Sequence, residues 1–311
     1  MMKTTILFPG YGAQNIGMGQ TFYENYPNIK KTFNDASSYL NIDFKDLCFY
    51  SNNDKLNQID NAYLSIFLIS CSIYDVLKQN NIEATFVAGY DTGQYAALYA
   101  ANSITLSEGL GILKKYSEFY INLLDKNNYE ILKVNGLTST KLPTFLDNRT
   151  SIASYQSRTQ HLVSGTKEGI ESLCEKLKNA SGVTLYNESI GLGLNSNLMD
   201  PIVEKIAPHL NKMNFKDLDI PLISNDDGSK VTQGKQVREE IIRLINTSIK
   251  WDNVVDKLSD AELIIGIGSQ DNLLDLVKEK YPRKNILSVQ NVDDLEKIKT
   301  INQNFGESEE N

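Results

Sequence analysis

The 311-residue chain is poor in several residues that chemistry often depends on: it has two histidines, three cysteines, one tryptophan and seven prolines. With only His161 and His209 available, a histidine-rich metal site is excluded, and any imidazole base must be one of these two. His161 opens an apolar, strand-like run and His209 lies in a helical stretch. Both are read as structural. Cys48, Cys71 and Cys174 are odd in number and far apart, with no C-x-x-C or metal spacing. They read as idle thiols of a reducing cytosol. No apolar window reaches the ~18 residues of a membrane span. The opening MMKTTILFPG has one lysine and a five-residue apolar run, too short for a signal sequence. Lysine and arginine are scattered, and the net charge is −8. Nucleic acid and membrane are therefore excluded as partners, and the expected location is the cytoplasm.

What is present suits one large α/β unit with a real core: 41% of residues are hydrophobic and 23% charged. Its organising stretch is residues 87–101, VAGYDTGQYAALYAA. An apolar run ends in Gly89, Tyr90 to Gly93 turn sharply, and a small-residue helix follows. Glycines stand two residues either side of Asp91, the spacing of a nucleophile elbow. Such an elbow normally presents serine, and here it presents an acid.

Along the chain, residues 4–8 read as a buried strand ended by Pro9-Gly10, and 64–77 as a core helix. Thr105 with Glu108 forms a capping box for a helix over 105–124. Residues 128–190 change character. Strand-like runs at 129–134, 151–155, 160–164 and 183–187, with helical segments at 142–147 and 167–180, give a ferredoxin-like βαββαβ order. Strands at 221–224 and 263–266 and helices at 198–213, 236–244 and 271–280 complete the large unit. The expected division is 1–127 with 191–300 as a discontinuous large domain, 128–190 as an inserted subdomain, and 301–311 as a disordered acidic tail.

Several segments resemble one family, the malonyl-CoA:acyl carrier protein transacylases and the acyltransferase domains of polyketide synthases. The family writes the elbow V-A-G-H-S-x-G-E-Y-A-A-L. Phe8 to Gln14, FPGYGAQ, then Gly17-Met18-Gly19, resembles its opening F-P-G-Q-G-x-Q…G-M-G. GLGLNSNLM at 191–199 resembles x-x-x-F-H-S-x-L-M, and Trp251 and GIG at 266–268 fall at its R-W and G-P-G. The resemblance spans residues 4–298. It implies an α/β-hydrolase-like large domain with a parallel sheet and an inserted ferredoxin-like subdomain, with the active-site cleft between them.

By this resemblance the family attacks an acyl thioester with a histidine-activated serine and passes the acyl group to the phosphopantetheine thiol of a carrier protein. The side chains of that chemistry are replaced here. Asp91 stands for the serine, Asn195 for the histidine and Tyr116 for the arginine that holds the malonyl carboxylate. Tyr11 replaces the glutamine of the first loop, Tyr90 the histidine before the nucleophile, and Leu244 a glutamine before R-W. Backbone amides of Tyr11 and Thr92 are the expected oxyanion hole. Asp91, Asn195, Tyr11 and Tyr116 are thus the candidate catalytic residues, with Tyr90, Gln14, Gln94 and Leu244 lining one cleft. Amide donors and the helix dipole should keep Asp91 ionised with a depressed pKa.

Three readings follow. One is a re-tooled enzyme on carrier-bound acyl thioesters, doing proton transfer, dehydration, isomerisation or cyclisation. Another is an inactive pseudo-acyltransferase that binds a carrier protein or synthase. The third is residual acyl transfer or hydrolysis. The expected partner is an acyl carrier protein, with polyketide synthase modules as further partners. No metal or cofactor of the chain's own is expected beyond the phosphopantetheine that the substrate brings.

Overall fold

The computed structural model describes residues 2–268 and 271–309. Eleven strands among the described residues form two sheets. The larger takes β1 (Thr4–Phe8), β2 (Phe86–Gly89), β7 (Leu222–Ile223), β8 (Lys230–Val231), β10 (Leu263–Ile267) and β11 (Asn285–Val289). Their order is β11-β10-β1-β2-β7-β8, all parallel except the terminal β7–β8 pair. β1 and β10 are buried along their whole length, as central parallel strands covered on both faces must be. The helix Ile59–Gln79 crosses one face, and its residues 62–74 are buried without a break, in keeping with its reading as a core helix.

The smaller sheet takes β3 (Tyr129–Asn135), β4 (Thr150–Tyr155), β5 (Gln160–Thr166), β6 (Thr184–Glu188) and β9 (Ile249–Lys250). Four strands run antiparallel in the order β6-β3-β5-β4, a ferredoxin-like arrangement, and the helix Lys167–Leu177 packs on them. The first helix of the expected βαββαβ pattern shrinks to a 3₁₀ turn, Leu142–Phe145. The fifth strand, β9, comes from the large domain and pairs in parallel with β4 at Ser154 and Tyr155. His161 is fully buried in this sheet, with Nε2 3.0 Å from the Leu137 carbonyl and its ring edge-on to Tyr155.

The capping box is present: Thr105 Oγ1 accepts from the Glu108 amide at 3.3 Å, and Glu108 Oε2 accepts from the Thr105 amide at 2.8 Å. One expectation is corrected. The last helix runs Val292–Glu309, through most of the stretch read as a disordered tail, and residues 310–311 lie outside the described residues. Asp293 and Asp294 complement its N-terminal dipole, Lys297–Asp294 and Lys299–Glu296 pair along it, and Leu295 and Ile298 are buried.

The elbow glycines are required by space. A Cβ on Gly89 would lie 2.2 Å from the Gln94 nitrogen, and one on Gly93 2.5 Å from the carbonyl oxygens of Phe8 and Pro9. These neighbours are backbone and cannot yield. Gly89→Ala is expected to cost more than ~2 kcal/mol, read as a lowered denaturant midpoint. An unchanged midpoint would contradict this packing.

Candidate active site

Strand β2 delivers the chain to Tyr90, whose amide donates to the Phe8 carbonyl at 3.0 Å. The helix Gly93–Ala100 begins at once, with the Gly93 amide donating to Tyr90 O at 2.8 Å and Gln94 to Asp91 O at 3.0 Å. Asp91 sits at the apex with φ +50°, a left-handed conformation that is uncommon and strained for a side-chain-bearing residue. Across from it Asn195 is also left-handed, at φ +30°. Asn195 Nδ2 donates to Asp91 Oδ1 at 3.2 Å and to the Leu244 carbonyl at 3.1 Å. Gly193 leaves room for this pair: with φ +86°, a Cβ there would meet Asn195 Oδ1 at 2.7 Å.

Asp91 differs electrostatically from the expectation. Burial pushes its carboxyl from 3.8 up to about 6, against the Thr92 amide and the Asn195 side chain, which both favour the charged form. The depressed pKa read from the sequence is therefore overturned. Oδ2 is buried with no hydrogen-bond partner among the described residues, so the donors are too few to offset desolvation.

Asp91, Thr92, Gln94, Tyr116, Asn195 and Leu244 surround one pocket of about 30 Å³, together with Tyr95, Ile241, Ile245 and Ile249. Tyr116 stacks between Tyr63 and Tyr120, with centroids 6.0 and 6.1 Å away. The outer two are anchored, Tyr63 Oη to the Gly191 carbonyl at 2.9 Å and Tyr120 Oη to Ile190 O at 2.7 Å. Tyr116 makes no side-chain hydrogen bond among the described residues, and its ring lines the pocket. Burial, reinforced by the Asp91 charge, holds the Tyr116 hydroxyl well above its usual range. Tyr63 and Tyr120 are donors, and all three phenols stay protonated and cannot serve as bases.

The expected single cleft is not observed. Tyr11 and Tyr90 line a separate cavity of about 220 Å³, with Lys133, Gln156 and Glu188 of the subdomain side. Tyr11 Oη donates to the Asn57 carbonyl at 3.0 Å and accepts from Ser189 Oγ at 3.3 Å. Tyr90 Oη donates to Ser154 Oγ at 3.0 Å, and its ring stands edge-on to Trp251, so it joins the two domains. Gln14 braces the first loop, accepting from the Gly12 amide at 2.8 Å and donating to Asn57 Oδ1 at 3.0 Å. The phenols at 11 and 90 found partners outside the elbow, which withdrew them from it. His209 packs against Phe119, and Lys114 pairs with Asp60 at 3.4 Å.

Sequence reasoning missed Glu240 and Asn225. Both are buried, and both stand directly behind the elbow. A signal existed for Glu240. It falls on the apolar stripe of the helix Gly234–Asn246, beside the buried Val237, Ile241 and Leu244, where a charge is costly unless held.

The fold and these segments match known proteins along nearly the whole chain. The malonyl CoA-acyl carrier protein transacylase of Bacillus subtilis (strain 168) is 27% identical over 304 residues, covering 95% of this chain and 96% of that protein. The crystal structure of the malonyl-CoA:ACP transacylase of Synechocystis sp. PCC 6803 superposes with a TM-score of 0.87 at 25% identity, over 95% of this chain and all of that one. The transacylase structure from Clostridium perfringens gives 0.92 at 24% identity, over 99% of this chain. The profile of the acyl transferase domain matches residues 5–267. Elbow and inserted subdomain thus occur together in a chain that belongs to the acyl transferase domain family.

Proposed function

We propose that this chain works in fatty-acid or polyketide assembly on acyl thioesters borne by an acyl carrier protein, and that Asp91 moves protons there instead of an acyl group. The relatives named above are transacylases of carrier proteins, which supports the choice of partner. The phosphopantetheine arm is the substrate's own, and the chain contributes no cofactor.

One observation carries the reading. A buried carboxyl raised to about 6, with one oxygen unpartnered, is poised near neutrality, as a general acid–base must be. As carboxylate it takes a proton from the carbon beside the thioester carbonyl. The C–H electrons form the enolate, whose oxygen accepts from neighbouring amide and phenol donors. Returning the proton to a different carbon migrates a double bond; passing it instead to a β-hydroxyl lets that oxygen leave as water with the C–O electrons while the enolate electrons form the double bond, which is dehydration. Asn195 holds Oδ1, and Oδ2 has no hydrogen-bond partner among the described residues.

A second reading, a carrier-protein-binding scaffold without chemistry, is favoured by the joint presence of Asp91, Asn195 and Tyr116 where the resemblance places nucleophile, base and carboxylate anchor.

The test presents carrier-bound β-hydroxyacyl and β,γ-unsaturated acyl chains and follows products by mass spectrometry. Turnover is expected to rise with pH through about 6, because the base form is the carboxylate, and Asp91→Asn should lower it by ~10³-fold. Binding of acyl carrier without turnover would establish the scaffold reading instead.

A further inference from the structure

Behind the elbow lies a second buried acid. Glu240 is 3% exposed. Its Oε1 accepts from Gln94 Nε2 at 3.1 Å and from the Asn225 amide at 3.1 Å. Gln94 is the second residue of the elbow helix, three positions after Asp91. Asn225 Nδ2 in turn donates to the Gly89 carbonyl at 2.7 Å, two positions before Asp91. One carboxyl therefore grips the chain on both flanks of the strained apex. Where the family's elbow motif carries a glutamate, this chain has Gln94, and the acid stands on the facing helix instead.

Two acceptors in this cluster lack a partner among the described residues. Gln94 Oε1 and Asn225 Oδ1 are both buried and unbonded, and each belongs to a residue already held by Glu240. An ionised carboxyl offers nothing to either, whereas a protonated one would bring a single donor into the cluster.

We propose that Glu240 is a positioning residue that clamps the elbow through Gln94 and Asn225, and that it does so as the neutral acid. Its surroundings agree. Burial is the largest influence and raises its pKa; the opposing influences are hydrogen bonds from Asn225, Ser224 and Gln94 and the charge of Arg243 one turn along the helix. Arg243 is itself engaged by Asp226 at 3.0 Å, on the turn after β7. The facing side of the elbow helix brings the uncharged Gln94. The clamp acts whether or not Asp91 performs chemistry, since it determines how the apex is held.

The test uses the full chain with carbon-13-labelled carboxylates. Glu240 is expected to titrate above its ordinary 4.5, remaining protonated where exposed glutamates are ionised. Glu240→Gln, which mimics the neutral acid, should leave the Asp91 midpoint within ~0.3 pH unit of the parent. Glu240→Ala should move that midpoint by more than ~0.5 pH unit, because the elbow loosens and solvent reaches the site. Glutamate titration at the ordinary value in the parent protein would overturn the proposal, and that measurement needs no variant to fold. So would a Gln variant that shifts Asp91 as far as the Ala variant, or an Ala variant that leaves Asp91 unmoved.

Discussion

Asp91→Ser combined with Asn195→His is expected to create an acyl-enzyme, with acetyl transfer or acetyl-CoA hydrolysis raised at least ~10³-fold over the parent. The scaffold for this is in place. The elbow already imposes φ +50° on residue 91, and residue 195 reaches it at 3.2 Å. The Leu244 carbonyl, 3.1 Å from Asn195 Nδ2, would accept the Nδ1–H of a histidine there and fix its tautomer, leaving Nε2 for the serine. Neither single change should suffice, because a serine without a base and a base without a nucleophile each leave the dyad incomplete. Malonyl should remain a poor donor in the double variant. The stacked Tyr116 brings no cation to meet its carboxylate, and adding Tyr116→Arg should extend the gain to malonyl. Intact-protein mass spectrometry reads the result as the added mass of one acyl group on the introduced serine. A well-folded double variant that never acylates would show that the site has lost more than its two reactive side chains.

Asp91→Asn is expected to stabilise the protein at pH 8 and to do little at pH 4. The carboxyl sits at 3.8 in a free chain and about 6 in the fold. Below 3.8 both states are protonated and the group is neutral towards folding. Between these values the unfolded chain gives up its proton more readily, so stability falls as pH rises. Above about 6 the deficit is complete, and a rise of this size corresponds to up to ~3 kcal/mol. An asparagine removes that deficit at high pH while keeping the shape. In a chain of this size the melting temperature should rise by roughly 5 °C at pH 8, measured by calorimetry at both pH values. An equal effect at both would mean that the acid is not held neutral by burial. A gain at pH 8 that coincides with lost turnover would be the familiar exchange of stability for activity at a working site.

Much of this architecture was legible before any coordinates. Glycine spacing located the elbow because backbone crowding at Gly89 and Gly93 admits nothing larger. Alternation and run length located the subdomain strands to within a residue or two. Three strands escaped, β8, β9 and β11, as did the helices Trp251–Lys257 and Val292–Glu309. Two of the strands are two residues long, too short to carry a period. At the site, the pairing of residues 91 and 195 followed from matching motifs in order. The charge state did not. It depends on how many donors reach the carboxyl, and counting those requires positions. Tyr11 and Tyr90 were placed with Asp91 for the same reason. Their backbones lie next to the elbow, but their hydroxyls bond to Asn57 and Ser154, and no sequence pattern records that choice. Glu240 was missed because an acid on an apolar stripe was not treated as a signal.

The parallel pairing of β9 with β4 bears on engineering. An insert tied to its host by two chain crossings alone could be exchanged as a module. Here a third attachment, Ile249–Lys250, is stitched into its outer edge, and the stitch lies immediately before the buried Trp251. A graft of residues 128–190 alone from a homologue would expose an unpaired strand border and break the seam. A chimera that also carries residues 246–251 should keep it closed.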